Sequence, residues 1–198
     1  MFLEKVPVAF NILMIVQAGR LSAEAVLAIA SLRAAGTDET RITLAEPQPG
    51  PLWRKDPRIA DTDMYGFLTA GGARIVPLHN TQFGEAYPHG NKIEALHLLP
   101  PDEPFIFFDT DTLFLKDPQA LKYDDLTPAA SLRRSASWPR VETEAQRDAI
   151  WRDLYERFDL TLELDERYPP DDWRRIPYYN AGWFLGPCPA RFGARFVE

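Results

Sequence analysis

Between Asn11 and Phe108 the chain alternates short strand-like segments with stretches of helical spacing, and that alternation narrows its fold more than any other feature. Asn11 to Val16 reads Asn-Ile-Leu-Met-Ile-Val, the near-continuous apolarity of a parallel strand covered on both faces. Leu21, Ala25, Ala28, Ile29 and Leu32 then recur at helical intervals. Ser22 is placed as the N-cap of that helix and Gly36 as its stop. Arg41 to Ala45 predicts a second strand, Asp61 to Ala70 a helix, and Arg74 to Leu78 a third strand. His79 to Gly90 reads as a loop, and Lys92 to Leu99 as a short helix ended by Pro100-Pro101. Phe105 to Phe108 is a fourth strand as apolar as the first. A βαβ rhythm with short links predicts an α/β protein with a mostly parallel open sheet and helices on both faces.

After Asp117 the rhythm changes. Ala129 to Leu132 suggests a strand, and Glu142 to Phe158 an amphipathic helix with Ile150, Trp151, Leu154, Tyr155 and Phe158 on one side. Tyr178 to Leu185 closes the pattern as an aromatic strand. The 198 residues suffice for a single domain with a substantial core.

Charge and composition exclude several functions. Twenty-two basic against 29 acidic residues leave a net charge of −7, which speaks against a generic nucleic-acid binder because phosphate backbones call for a basic face. An anionic ligand stays compatible if a divalent cation inverts the local sign. Eighteen prolines predict long irregular loops. One cysteine, Cys188, allows no internal disulfide or thiolate metal site. No apolar run reaches the roughly 18–20 residues of a transmembrane helix. The run from Val6 to Val16 is broken by Pro7 and Asn11, and Glu4 offsets Lys5, so a buried strand is favoured over a signal peptide. A reducing cytoplasm is the expected location.

The chemistry concentrates at Asp109-Thr110-Asp111, directly after the fourth strand. Ligand sites of open α/β sheets lie at the carboxyl ends of strands. In extended backbone, residues i and i+2 share a side, so Asp109 and Asp111 are expected to converge on one hard cation, Mg²⁺ or Mn²⁺. Two carboxylates alone hold such ions loosely, and substrate phosphates complete the shell. Asp61-Thr62-Asp63 has the same spacing, but it precedes Met64-Tyr65-Gly66-Phe67 and reads as a helix cap with a first-turn acid.

Asn91 to Leu96, then Phe105 to Leu115, then Asp117-Pro118, together resemble the core of the GT-A glycosyltransferases, most nearly family 8 with glycogenin and the bacterial lipopolysaccharide galactosyl- and glucosyltransferases. Tyr178-Tyr179-Asn180-Ala181-Gly182-Trp183-Phe184-Leu185 resembles that family's downstream Asn-Ala-Gly strand, and Ile15 to Leu32 its first βα unit. The resemblance implies a metal-dependent transfer of hexose from a UDP-sugar to a glycan or other hydroxyl acceptor, with retention. It implies Asp111 and Asp109 as ligands of Mn²⁺ or Mg²⁺, with Thr110 between them in the donor site. Lys92 matches a basic contact to phosphate or sugar, although an exposed first-turn lysine is an equal reading of the sequence. Val16, Gln17 and Ala18 match the uracil-binding edge, and Asn180 and Ala181 the donor-sugar and acceptor contacts. One GT-A domain over 1–198 is implied, with 1–118 as its nucleotide-sugar half and 119–198 as a partial acceptor half.

The departures from the family are specific. Leu21 stands where members often place an aromatic residue that stacks on the base. The family's later Asp-Gln-Asp and His-x-x-Gly-x-x-Lys segments do not occur before Glu198, so a missing C-terminal part is expected, with any peripheral membrane association through it. His79, His89 and His97 do not stand where the family's third metal ligand falls, and His89-Gly90-Asn91-Lys92 reads as a loop running into a helix. Two alternatives remain at this level: a non-catalytic nucleotide-sugar-binding module on the same fold, and a haloacid-dehalogenase-type phosphatase. In the phosphatase the Asp-x-Asp normally follows the first strand, and its second aspartate is followed one residue on by Thr or Val, where this chain has Leu113.

Overall fold

A computed structural model describes residues 9–121, 127–132, 139–170 and 172–195. It divides into two units: residues 1–129 with 182–198, and residues 130–181.

The first unit is built on an open sheet. Strands β1 (Asn11–Ile15), β2 (Ile42–Pro47), β3 (Arg74–Leu78), β4 (Phe105–Phe108) and β6 (Tyr179–Gly186) lie in the order β3-β2-β1-β4-β6. The β1–β2, β1–β4 and β2–β3 pairs are parallel, with Ile12 beside Ile42 and Ile106. Strand β6 runs antiparallel to β4, with Phe107 opposite Phe184 and Phe108 opposite Trp183.

Period-two alternation sorts the strand side chains onto two faces. Ile12, Met14, Ile42, Leu44, Ile106 and Phe108 form one buried cluster with Ala25, Ala28, Ile29 and Leu32 of helix α1 (Arg20–Ala34) and Leu68 of helix α2 (Thr62–Thr69). On the opposite face Phe105 meets Phe184 and Phe192 edge-on, at 6.0 and 5.5 Å between ring centroids. Phe192 belongs to helix α5 (Pro189–Ala194), so helices cover both faces as the sequence pattern predicts.

Helix α1 ends as its sequence dictates. Gly36 adopts φ +78°, its N–H donates to Arg33 O, and Thr37 N–H donates to Leu32 O, which satisfies the last carbonyls. The start corrects the expectation. Gly19 is the N-cap, Ser22 lies inside the helix, and the Ser22 hydroxyl donates back to Gly19 O at 2.8 Å. Asp61 caps α2 by accepting from Asp63 N and Met64 N, as expected of that carboxylate pair. The segment Lys92 to Leu99 is a short helix α3 (Asn91–Glu94) followed by a 3-10 turn rather than one continuous helix. Cys188 is buried, donates its thiol proton to Pro101 O and accepts from Arg191 N, a structural cap.

The second unit contains the rest of strand β5 (Ala129–Leu132), helix α4 (Glu144–Arg157) and the start of β6. Thr143 and Gln146 form a reciprocal capping box at the start of α4. Trp151 packs against Tyr155 and Tyr178, but Phe158 lies just past the helix at 70% exposure, so it is not part of the apolar stripe. Among the described residues, no helix is long and apolar enough to cross a membrane.

Candidate active site

The parallel strands β1 and β4 deliver their carboxyl ends side by side, and a cleft of about 230 Å³ opens there. Ile15 and Gln17 come from the end of β1, Arg20, Leu21 and Glu24 from the first turns of α1, and Asp109, Thr110 and Asp111 from the end of β4. Pro88 and His89 come from the loop before α3, and Lys92 from α3 itself. All these elements belong to the first unit.

Lys92 is the residue whose position the sequence left open. It is buried, its ammonium donates to Asp109 Oδ1 at 2.8 Å, and it lies 4.8 Å from the centre of the Phe107 ring. An exposed first-turn lysine is thereby excluded. The four apolar residues of β4 bury the strand, and Asp109 emerges where that cover ends. Its N–H donates to Gly182 O at 2.8 Å, which fixes the backbone against β6.

Burial pushes the Asp109 carboxyl up, and the hydrogen bond and charge of Lys92 pull it down. The Asp111 charge raises it again, and the net shift is upward from the ordinary aspartate value. A cation on the Asp109 side would relieve both the burial and the like-charge contribution.

Asp111 is exposed at the cleft, and its carboxylate makes no hydrogen bond among the described residues. The two aspartates thus offer hard oxygen donors of the kind Mg²⁺ and Mn²⁺ prefer, and the donor set fits such an ion. Among the described residues no group of three or more His, Cys, Asp or Glu side chains could hold a metal. An ion here would take its remaining ligands from substrate phosphate and water.

Thr110 is buried, and its hydroxyl donates to Glu24 Oε2 at 3.1 Å, tying the Asp-Thr-Asp turn to α1. Glu24 Oε1 pairs with Arg20 at 2.5 Å. Sequence reading missed Arg20 and Glu24, although their i, i+4 spacing on a predicted helix was the available signal.

Of the expected uracil edge, Gln17 lines the cleft, Ala18 is exposed with its N–H on Pro57 O, and the Val16 side chain is fully buried in the core. Ile15 and Leu21 supply the apolar wall instead. Asn180 and Ala181 lie on β6 in the second unit, and both are exposed.

A family model described as a Rhodobacterales glycosyltransferase domain matches residues 12–198. The chain belongs to that family. The structure of mouse xyloside xylosyltransferase 1, in its apo form, is similar to the chain at 15% identity, covering 97% of this chain and 72% of that one with a TM-score of 0.49. No curated protein matches at a significant level. The protein is therefore a glycosyltransferase domain, and its mostly parallel open sheet with helices on both faces agrees with the GT-A fold expected.

Proposed function

We propose that this glycosyltransferase domain transfers a hexose from a UDP-sugar to a hydroxyl of a glycan or small-molecule acceptor, with retention and with Mn²⁺ or Mg²⁺. The observation that carries this reading is the Lys92–Asp109–Asp111 group in the cleft at the carboxyl ends of β1 and β4. The base and ribose lie along Ile15, Gln17 and Leu21, and the diphosphate lies toward the two aspartates and Lys92. Asp109 and Asp111 hold the divalent ion, which when bound supplies Lewis-acid stabilisation of the departing diphosphate. Lys92 holds Asp109 in place and keeps positive potential at the phosphate end. Thr110, fixed to Glu24, sets the direction of the Asp-Thr-Asp turn.

Asn180 and Ala181 contact donor sugar and acceptor in this reading, with residues 1–118 as the donor half and 119–198 as the acceptor half of one domain. The likeness to family 8 supports retention, and a cytoplasmic location belongs to the same reading. The phosphatase alternative has no support from the family match.

The test is transfer itself. The whole gene product is incubated with Mn²⁺, a panel of nucleotide sugars and mixed glycan acceptors, and products are read by mass spectrometry and anomeric proton couplings. Transfer from a UDP-hexose with the donor's anomeric configuration preserved is expected. Transfer from another nucleotide class, or with inversion, contradicts the corresponding part of the reading. Nucleotide-sugar binding without any turnover favours the non-catalytic module.

A further inference from the structure

The cleft contains three basic side chains, and two are already committed to carboxylates: Arg20 to Glu24 at 2.5 Å and Lys92 to Asp109 at 2.8 Å. The third is His89. Its imidazole makes no hydrogen bond or ion pair among the described residues. Its one ring contact is an edge-on approach to Tyr87 at 5.9 Å between centroids. It is exposed, yet it lines the same cleft as Asp109 and Asp111 and interacts electrostatically with Asp109.

The loop that presents His89 is held at both ends. Trp53 Nε1 donates to Asn80 Oδ1 at 2.9 Å, and Asn80 Nδ2 donates to Glu94 Oε2 at 2.8 Å. Glu94 Oε1 accepts from the N–H and hydroxyl of Thr81 and from Gln82 N. Asn91 Nδ2 donates to Gly84 O at 3.2 Å, and Glu85 N donates to Leu52 O at 3.0 Å. Seven hydrogen bonds therefore tie down a segment whose last turn carries an imidazole, uncommitted among the described residues, that lines the cleft. Fixing a donor this way lowers the ordering cost of using it on a ligand.

We propose that His89 is a substrate-binding residue that donates a hydrogen bond to the terminal phosphate of the donor's nucleoside diphosphate; this inference rests on the UDP-sugar reading above. The ligand class follows from the chemistry of the wall. An imidazole N–H beside a lysine and two aspartates suits an anion that brings its own countercation, and a diphosphate with a divalent ion is such a ligand. On transfer, the bond from the sugar's anomeric carbon to the diphosphate oxygen breaks and a bond from that carbon to the acceptor hydroxyl oxygen forms, the hydroxyl proton passing to the departing diphosphate. The electron pair of the broken bond stays on the phosphate oxygen, and the His89 N–H stabilises the charge that accumulates there.

The test is isothermal calorimetry of UDP and of UMP at saturating Mn²⁺, on wild type, His89→Ala and His89→Gln of the full chain. Because His89 is exposed, thermal midpoints are expected to match wild type. His89→Ala is expected to weaken UDP by roughly tenfold, the value of a lost hydrogen bond to a charged group, while UMP affinity is unchanged. His89→Gln keeps an amide donor and is expected to recover part of the UDP affinity. Equal UDP affinity in wild type and His89→Ala overturns the inference and leaves the donor reading standing. Equal losses for UDP and UMP place His89 on the nucleoside side and also overturn it. A fall in Mn²⁺ affinity without nucleotide makes His89 a metal ligand instead and overturns it too. Failure of wild type to bind UDP–Mn²⁺ overturns both the donor reading and this inference.

Discussion

Replacing Lys92 by methionine keeps the unbranched stem over Phe107 and removes only the charge. In the native protein that ammonium, its side chain 6% exposed, lies 2.8 Å from an Asp109 carboxylate that is 39% exposed. Removing one member of a fully buried pair costs about 3–5 kcal/mol, and of a surface pair about 0–1 kcal/mol. The half-exposed carboxylate sets this pair between those limits. With the lost cation–π contact to Phe107 included, the expected destabilisation is about 2 kcal/mol near pH 7. For a chain of this length that is a fall of about 4–8 °C in the midpoint of thermal unfolding.

The pH dependence gives the sharper signature. Asp109 already titrates above its ordinary value, so its neutral form suits the fold better than its ionised form. The stability this group contributes is present in acid and lost as pH rises through its folded value. Without Lys92 that value climbs further, so the variant gains more on acidification than wild type does. The gap is expected to close as pH falls toward 4, where a buried ammonium facing a neutral acid becomes the less favourable arrangement. Urea unfolding of metal-free protein at a series of pH values measures this directly. A cost below about 0.5 kcal/mol at pH 7, or the same gap at pH 7 and pH 4, would refute the assigned coupling.

Two further outcomes follow from the loop before α3. Gly84 has φ +58°, and a Cβ there would lie 2.7 Å from Leu52 O, so Gly84→Ala is expected to cost about 1–3 kcal/mol in chemical unfolding and to weaken nucleotide binding by displacing His89; wild-type stability contradicts it. Burial pushes Glu94 up, but its hydrogen bonds from Asn80, Thr81 and Gln82 outweigh that and hold it below the ordinary 4.5. Its stabilisation is therefore present above that value and lost as pH falls through the lowered one. Glu94→Gln is expected to be less stable than wild type by about 1–2 kcal/mol at pH 7, with the difference vanishing in strong acid, as followed by circular dichroism.

Much of the first unit was legible because local pattern and tertiary role coincide there. Phe105 to Phe108 is apolar at every position and proves buried between two helical layers, so the emergence of Asp109 could be placed from sequence alone. The Gly36 stop and the Asp61 cap were equally local decisions. What sequence could not supply were facts made by convergence. The start of α1 went to Gly19 rather than Ser22, because the Ser22 hydroxyl turned back to Gly19 O instead of capping. The burial of Lys92 depends on Phe107, fifteen residues away and on another element. His89 reads as plain loop because only the folded chain brings it into the cleft with Asp109 and Lys92. The family resemblance puts Val16 at the ligand edge, whereas strand alternation turns its side chain into the core, and Ile15 and Gln17 line the cleft.

The central claim is that Asp109 and Asp111 hold a divalent ion on which a nucleoside diphosphate binds. Titrating UDP into the protein with and without Mn²⁺, for wild type and Asp111→Asn, tests it most directly. Asp111 is exposed, so this substitution leaves the fold intact. The account predicts that Mn²⁺ strengthens UDP binding to wild type by tenfold or more, roughly one charge-assisted contact, and that Asp111→Asn abolishes that enhancement. Equal UDP–Mn²⁺ affinity in wild type and Asp111→Asn would contradict it.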